Sequence, residues 1–210
     1  MNIKIQELKK TYGNLEIFDN FNIEIQSAAL TCLYGGSGCG KTTLLNIIGM
    51  IEPYDSGNIY YDGIKISRQK DIQHYLAYKI GFIFQNFGLV DNLTVIQNIK
   101  ISKQNKHLSD CQINEALNKF GLIDILNKKI FELSGGEQQR VALTKVYLKN
   151  VDLILADEPT ASLDEENANL VMNTLREFAR LGKTIVIVSH DKNIRDFCDY
   201  SYNISNKQSF

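Results

Sequence analysis

Residues able to grip a phosphate chain stand together early in the sequence. Gly35, Gly36, Ser37, Gly38, Cys39, Gly40, Lys41 and Thr42 run consecutively and fit the GxxxxGK[ST] phosphate-loop pattern. Glycines let a backbone curl so that successive N–H groups face one anion. Lys41 is then expected at the β- and γ-phosphates of a nucleotide, with the Thr42 hydroxyl on Mg²⁺ and the Thr43 hydroxyl near the α-phosphate. A glycine-rich loop can also do no more than turn the chain. Its placement argues against that: an apolar run, Ala28 to Tyr34, leads in, and a helical pattern, Lys41 to Met50, leads out.

A second anion-suited segment is Leu133-Ser134-Gly135-Gly136-Glu137-Gln138-Gln139-Arg140. Small residues at the start of a helix, here expected over Glu137 to Leu148, leave N–H groups bare where the helix dipole favours negative charge. The competing reading is an ordinary cap, because Ser134 and Glu137 have capping-box spacing. The paired glycines weigh against it, since they weaken a helix start without structural return. Two adjacent acids, Asp157 and Glu158, end the apolar run from Val151, and Pro159 stops that strand. Ligand sites of open α/β sheets lie at such strand ends. Adjacent strand residues point to opposite faces, so the two acids are expected to have separate tasks. A solvated acidic turn is the alternative. It fits less well, because a phosphate loop needs a second Mg²⁺ anchor and this acidic pair alone follows an apolar run. His190, in Ser189-His190-Asp191, follows the last apolar strand; taken alone, a loop histidine is most often structural. Gln85 and Tyr12 carry little signal by themselves: one reads as a surface amide, the other is one of ten tyrosines.

The elements that must hold these residues are legible too. Asn2 to Leu8 alternates apolar and polar, and Phe21, Ile23 and Ile25 repeat the period, which predicts an early antiparallel piece. Ala28–Tyr34, Ile80–Phe84, Asp152–Ala156 and Thr184–Val188 read as buried strands, and Asn58–Tyr61 as a strand ending at the Asp62-Gly63 turn. Helices are expected at Lys41–Met50, at Glu165–Leu181 and, with Asp191 as N-cap, at Asp191–Cys198. Leu93 to about Lys149 is helical in pattern and lies between core strands. The alternation predicts an α/β fold: a mainly parallel sheet, an N-terminal antiparallel β piece and an inserted helical lobe. One domain, 1–210, is expected, with a nucleotide-binding core at 1–86 and 150–210 and the lobe at 87–149. Asn203 to Phe210 is polar and expected to fray. Net charge is −1, from 23 basic and 24 acidic residues, which gives no electrostatic case for nucleic acid. The apolar stretches are too short to span a bilayer, and the charged, alternating N-terminus is unlike a signal peptide. Cys32, Cys39, Cys111 and Cys198 form no Cys-x-x-Cys pair and no His cluster joins them. Neither zinc nor disulfides is expected, and a reducing cytoplasm fits.

In this order, Tyr12, Gly35–Thr42, Gln85, Leu133–Arg140, Asp157-Glu158, Ser162–Asp164 and His190 resemble the motif series of ABC-type ATPases over nearly the whole chain. Leu133–Arg140 resembles that family's signature. The resemblance implies a P-loop NTPase fold and an ATP-binding, ATP-hydrolysing subunit that powers a membrane transporter, with ATP and Mg²⁺. It implies that Asp157 holds Mg²⁺ through water and that Glu158 polarises the attacking water. It places His190 at the γ-phosphate, Gln85 at Mg²⁺ and water, and Tyr12 against adenine. Ser134, Gly135, Gly136 and Glu137 of one copy would meet the nucleotide held by the Gly35–Thr43 loop of a second. The implied partners are thus a second copy, in an ATP-sandwich dimer, and an integral-membrane permease. The chain would lie peripherally on the inner face of the cell membrane. Leu45–Gly49, Ile80–Asn86 and Leu93–Val95 are similar to ATPases serving export of peptides, bacteriocins and antibiotics or release of lipoproteins. Departures are small: Glu137 where many relatives have glutamine, Thr42 and Cys39 where serine is frequent. Three other readings stand beside this one. A non-transport member of the same superfamily, such as a translation factor or DNA-repair ATPase, would be expected to carry two cassettes in one chain or long coiled coils, and neither is seen in this sequence. An ATPase partner of a membrane signalling or cell-wall control complex would look alike. A catalytically dead scaffold would not be expected to keep Lys41, Asp157, Glu158 and His190.

Overall fold

The computed structural model describes residues 1–101 and 107–206. Strands β1 (Ile3–Tyr12) and β2 (Leu15–Ile25) pair antiparallel, in register Ile3↔Ile25 and Ile5↔Ile23. Strand β3 (Leu30–Tyr34) runs into the glycine loop, and α1 (Lys41–Ile48) follows it. Strand β4 (Ser56–Tyr61) returns to β1, β5 (Ile64–Lys65) pairs with β4, and α2 (Gln69–Tyr78) leads into β6 (Ile80–Ile83). Helices α3 (Val95–Lys100), α4 (Asp110–Lys119) and α5 (Gly135–Lys149) come next. The chain ends on β7 (Leu153–Asp157), α6 (Glu165–Arg180), β8 (Thr184–Val188), α7 (Lys192–Phe197) and β9 (Tyr200–Asn203).

Two sheets result: an antiparallel one in the order β2-β1-β4-β5, and a parallel one in the order β6-β7-β8-β3-β9. Apolar residues on both faces of the central strands explain why the parallel sheet sits between two layers. Leu153 and Leu155 belong to the core shared with α1 and the antiparallel sheet, whereas Ile154 and Ala156 belong to the core shared with α5 and α6. Ile113 and Leu117 of α4 and Val95 and Ile99 of α3 join that second core, so the helical segment packs as a continuation of it. Its helices start where the local code says. Thr94 with Gln97, and Ser109 with Gln112, form capping boxes. Asp191 caps α7 as expected, accepting from the Asn193 N–H.

Helix α2 and strand β9 were not expected. No side chain caps the start of α2 and none of its residues is fully buried, so its period is faint. Strand β9 is short and polar, and pairing with β3 alone holds it in the sheet. The expected fraying is therefore corrected at its start. Asn203 pairs with Tyr34, and Ile204 is fully buried. The remainder of that stretch, 207–210, lies outside the described residues.

Candidate functional site

Parallel strands deliver their C-terminal ends to one edge of a sheet. Here β3 runs into the glycine loop, β7 ends at Asp157 with Glu158 next in the chain, and Ser189 and His190 follow β8. Strand β9 ends just before Ser205. Strand β6 stops at Ile83, one residue before the expected Phe84, and Gln85 stands exposed in the turn beyond.

Gly40 caps α1 with φ 97°, and a Cβ there would lie 2.5 Å from Ile17 Cγ2 and 2.9 Å from Phe18 Cζ. Only glycine suits both the conformation and the space. Gly36, Ser37 and Gly38 are exposed, and the Cys39 N–H closes the turn by donating to Gly36 O at 3.3 Å. Lys41 Nζ donates to Gly35 O at 3.0 Å and Gly36 O at 2.9 Å, so the ammonium folds back over its own loop. Thr43 is half-buried in the first turn of α1. The Thr42 side chain stands close enough to the Asp157 carboxylate to favour its charged form. Burial pushes Asp157 above the usual carboxylate range and Glu158 adds to it, while Thr42 and Lys41 pull the other way. A half-buried carboxylate beside a hydroxyl is a donor set suited to a hard divalent cation, which would relieve that cost.

Glu158 lies just beyond β7, in left-handed backbone at φ 46°. The expected strand alternation is therefore not what separates the two acids; the reversed φ is. Backbone strain of this kind persists where its surroundings hold it. The Glu158 N–H donates to Val188 O at 2.9 Å. Ser189, fully buried, donates its hydroxyl to Glu158 Oε2 at 3.1 Å and accepts from the Asp191 N–H at 3.1 Å. His190 Nδ1 meets Glu158 Oε1 at 2.7 Å. The hydrogen bond and charge of Glu158 hold the imidazole above its ordinary pKa.

At the other motif, Ser134 Oγ accepts from the Glu137 N–H at 3.3 Å, and Glu137 Oε2 accepts from the Ser134 N–H at 2.7 Å. The capping box is thus real. The paired glycines are not both without a structural return, contrary to expectation. A Cβ on Gly136 would stand 2.6 Å from Asn167 Oδ1, so this glycine does have a structural return. Gly135 is freer, with Ser162 O at 3.9 Å from its Cβ position. The rest of the motif works inside the chain. Buried Gln139 donates to Pro159 O at 2.9 Å, and Arg140 donates to Asn167 Oδ1 at 2.9 Å. Asn167 in turn donates to both carboxylate oxygens of Asp164 at 2.9 Å. These bonds tie α5 to the loop leaving Asp157 and Glu158. Tyr12, 46% exposed, donates its hydroxyl to Glu52 Oε1 at 3.0 Å, and Lys10 Nζ lies 4.4 Å from its ring centroid.

The profile of the ABC transporter family matches residues 18–161. The chain is 36% identical over 206 residues to the lipoprotein-releasing system ATP-binding protein LolD of Bacteroides thetaiotaomicron, with 94% of each chain covered. The chain belongs to the ABC transporter family. Within the family it resembles the lipoprotein-release and export group. The macrolide export ATP-binding/permease protein MacB of Vibrio parahaemolyticus is 32% identical over 207 residues, which are 94% of this chain and 32% of that longer one. Among solved structures, the dimeric ABC transporter cassette MJ0796 superposes with TM-score 0.86 at 33% identity, covering 97% of this chain and 95% of the other. A second structure of that cassette, a dimer bound to ADP and Pi, matches with the same TM-score of 0.86 at 32% identity. The α/β cassette fold, with its parallel and antiparallel sheets, is that of an ABC ATPase, and the chain is an ABC ATP-binding subunit. No helix among the described residues is long and apolar enough to cross a membrane.

Sequence reasoning left three residues of this ABC cassette without a role: Ser189, Gln139 and Asn167. Ser189 and Gln139 lie in Ser189–Asp191 and Leu133–Arg140, but nothing in residue type announces a buried partner. Asn167 carried one usable signal, its position three residues after the helix-capping Asp164.

Proposed function

We propose that the chain hydrolyses ATP to drive an ABC exporter of peptide, bacteriocin, antibiotic or lipid-linked cargo. The observation that carries this reading is the convergence of Lys41, Thr42, Asp157, Glu158 and His190 on one edge of the parallel sheet, with the contact between Glu158 and His190 already made. The loop from Gly35 to Thr43 binds the phosphates, and Lys41 leaves its carbonyl partners for the β- and γ-phosphates. Thr42, Asp157 and Gln85 would hold Mg²⁺, which would neutralise phosphate charge. Glu158, steadied by Ser189 and His190, takes the proton of the attacking water. With Nδ1 engaged on Glu158, Nε2 is the nitrogen of His190 left to reach the γ-phosphate. Tyr12 stacks on the base.

Ser134, Gly135, Gly136 and Glu137 supply the second half of the site from another copy of the chain, packed about a two-fold axis. Their N–H groups and hydroxyl stabilise charge on the γ-phosphate. The permease docks in a groove of about 610 Å³ between α2, β6 and α5, lined by Leu76, Ala77, Phe82, Lys145, Val146 and Lys149. Docking there places the chain on the inner membrane face.

Glu158→Gln with MgATP tests the central claim. The variant keeps the loop but loses the base, so it is expected to elute as a dimer in size-exclusion chromatography and to lack turnover. A monomeric elution in MgATP would overturn the sandwich.

A further inference from the structure

We propose that Ser205 is a positioning residue for the phosphate loop, so that the turn after β9 forms part of the nucleotide site. Strands β3 and β9 run parallel and in register from Thr31↔Tyr200 to Tyr34↔Asn203. They end together, so the chain that follows β9 must turn beside the loop that follows β3. Ile204, fully buried, anchors this turn in the core under α1. Asn203 Oδ1 accepts from the Ser205 N–H at 3.0 Å and closes the turn. Ser205 Oγ then accepts from the Gly36 N–H at 2.8 Å.

Gly35 shows how closely the two segments meet. A Cβ at Gly35 would lie 2.5 Å from Ser205 Oγ, 3.2 Å from Ser205 N and 2.8 Å from Cys39 Sγ. The first residue of the loop is glycine for two reasons: its φ of 155° is a conformation other residues rarely adopt, and Ser205 on one side and Cys39 on the other crowd the space a side chain would need. The Gly36 N–H, which would otherwise face solvent, is committed to a residue 169 positions further along the chain. That bond sets the first bend of the loop. A loop held in one shape loses less conformational freedom when it closes on a ligand, so the tether favours binding.

The proposal rests on the reading of the Gly35–Thr43 loop as the nucleotide site, and one set of titrations separates the two claims. The probe is methylanthraniloyl-ATP with Mg²⁺, titrated by fluorescence into the full chain and its Lys41→Ala, Ser205→Ala and Ser205→Thr variants, with Tm recorded for each. Lys41→Ala reports on the loop itself: if it binds as tightly as the wild type, the nucleotide-site reading falls. Ser205 is exposed, so its variants are expected to fold with unchanged Tm. Ser205→Ala is expected to weaken binding about fivefold, the worth of one hydrogen bond. Ser205→Thr keeps the hydroxyl and is expected to bind as the wild type does. Wild-type affinity in Ser205→Ala overturns the proposal. So does a loss in Ser205→Ala that Ser205→Thr fails to restore, or one that follows a lowered Tm.

Discussion

The contact between Glu158 and His190 is strongest when the imidazole carries a proton. Glu158 raises the histidine pKa through its hydrogen bond first and its charge second. The pair therefore contributes most below the ordinary histidine pKa, and the contribution is lost as pH rises through the raised value. The His190 side chain is 74% exposed, so solvent screens the pair and melting temperature is a poor readout. NMR titration of the imidazole is a direct one. Its midpoint is expected above about 6.5, the ordinary histidine value, and to return there in Glu158→Gln. A midpoint that Glu158→Gln leaves in place would refute the contact. At this scale the sequence showed the residue types but not the pairing. Glu158 and His190 are 32 positions apart, and Ser189 looked like loop. Only the adjacency of β7 and β8 brings the three together.

Two elements, α5 and α6, meet at Gly136 and Asn167. Alanine is the better helix former by about 0.5–1 kcal/mol, so an isolated helix would gain from Gly136→Ala. Here the added methyl must push Asn167 off Arg140 and Asp164. Overpacking of this kind costs about 1–3 kcal/mol, which outweighs the gain. Gly136→Ala is therefore expected to lower stability in urea unfolding by about 1 kcal/mol, and to become neutral or stabilising in an Asn167→Ala background. Equal effects in both backgrounds would show that the contact does not matter. The start of α5 was legible because a capping box is a local code, here Ser134 with Glu137; the box of Ser109 with Gln112 at α4 has the same spacing but was not singled out in the sequence. Helix α2 was not, because it lies on the surface with no side-chain cap. Nor was the crossing of α5 with α6, which no local code records.

For the whole molecule, the decisive question is whether the signature of one copy serves the phosphate loop of another. Ser134→Arg separates the roles. It removes a cap worth about 1 kcal/mol and puts a large side chain at the helix start. MgATP affinity of the single chain is expected to hold, while turnover falls by at least ~100-fold because a donor set for the transition state is blocked. Normal hydrolysis by Ser134→Arg would refute the assignment. Sequence alone determined the phosphate loop, the acidic pair and the signature, since each is a run of adjacent residues whose chemistry depends on local backbone. It determined the fold class as well, because hydrophobic period separates strand from helix. Tertiary structure decided which of these residues touch. That depends on the strand order β6-β7-β8-β3-β9, which differs from the order along the chain. This order sets β8 between β7 and β3, so that His190 reaches Glu158. It sets β9 against β3 at the sheet edge, so that Ser205, in a tail the sequence marks as loose, comes to rest on the loop that opens the site.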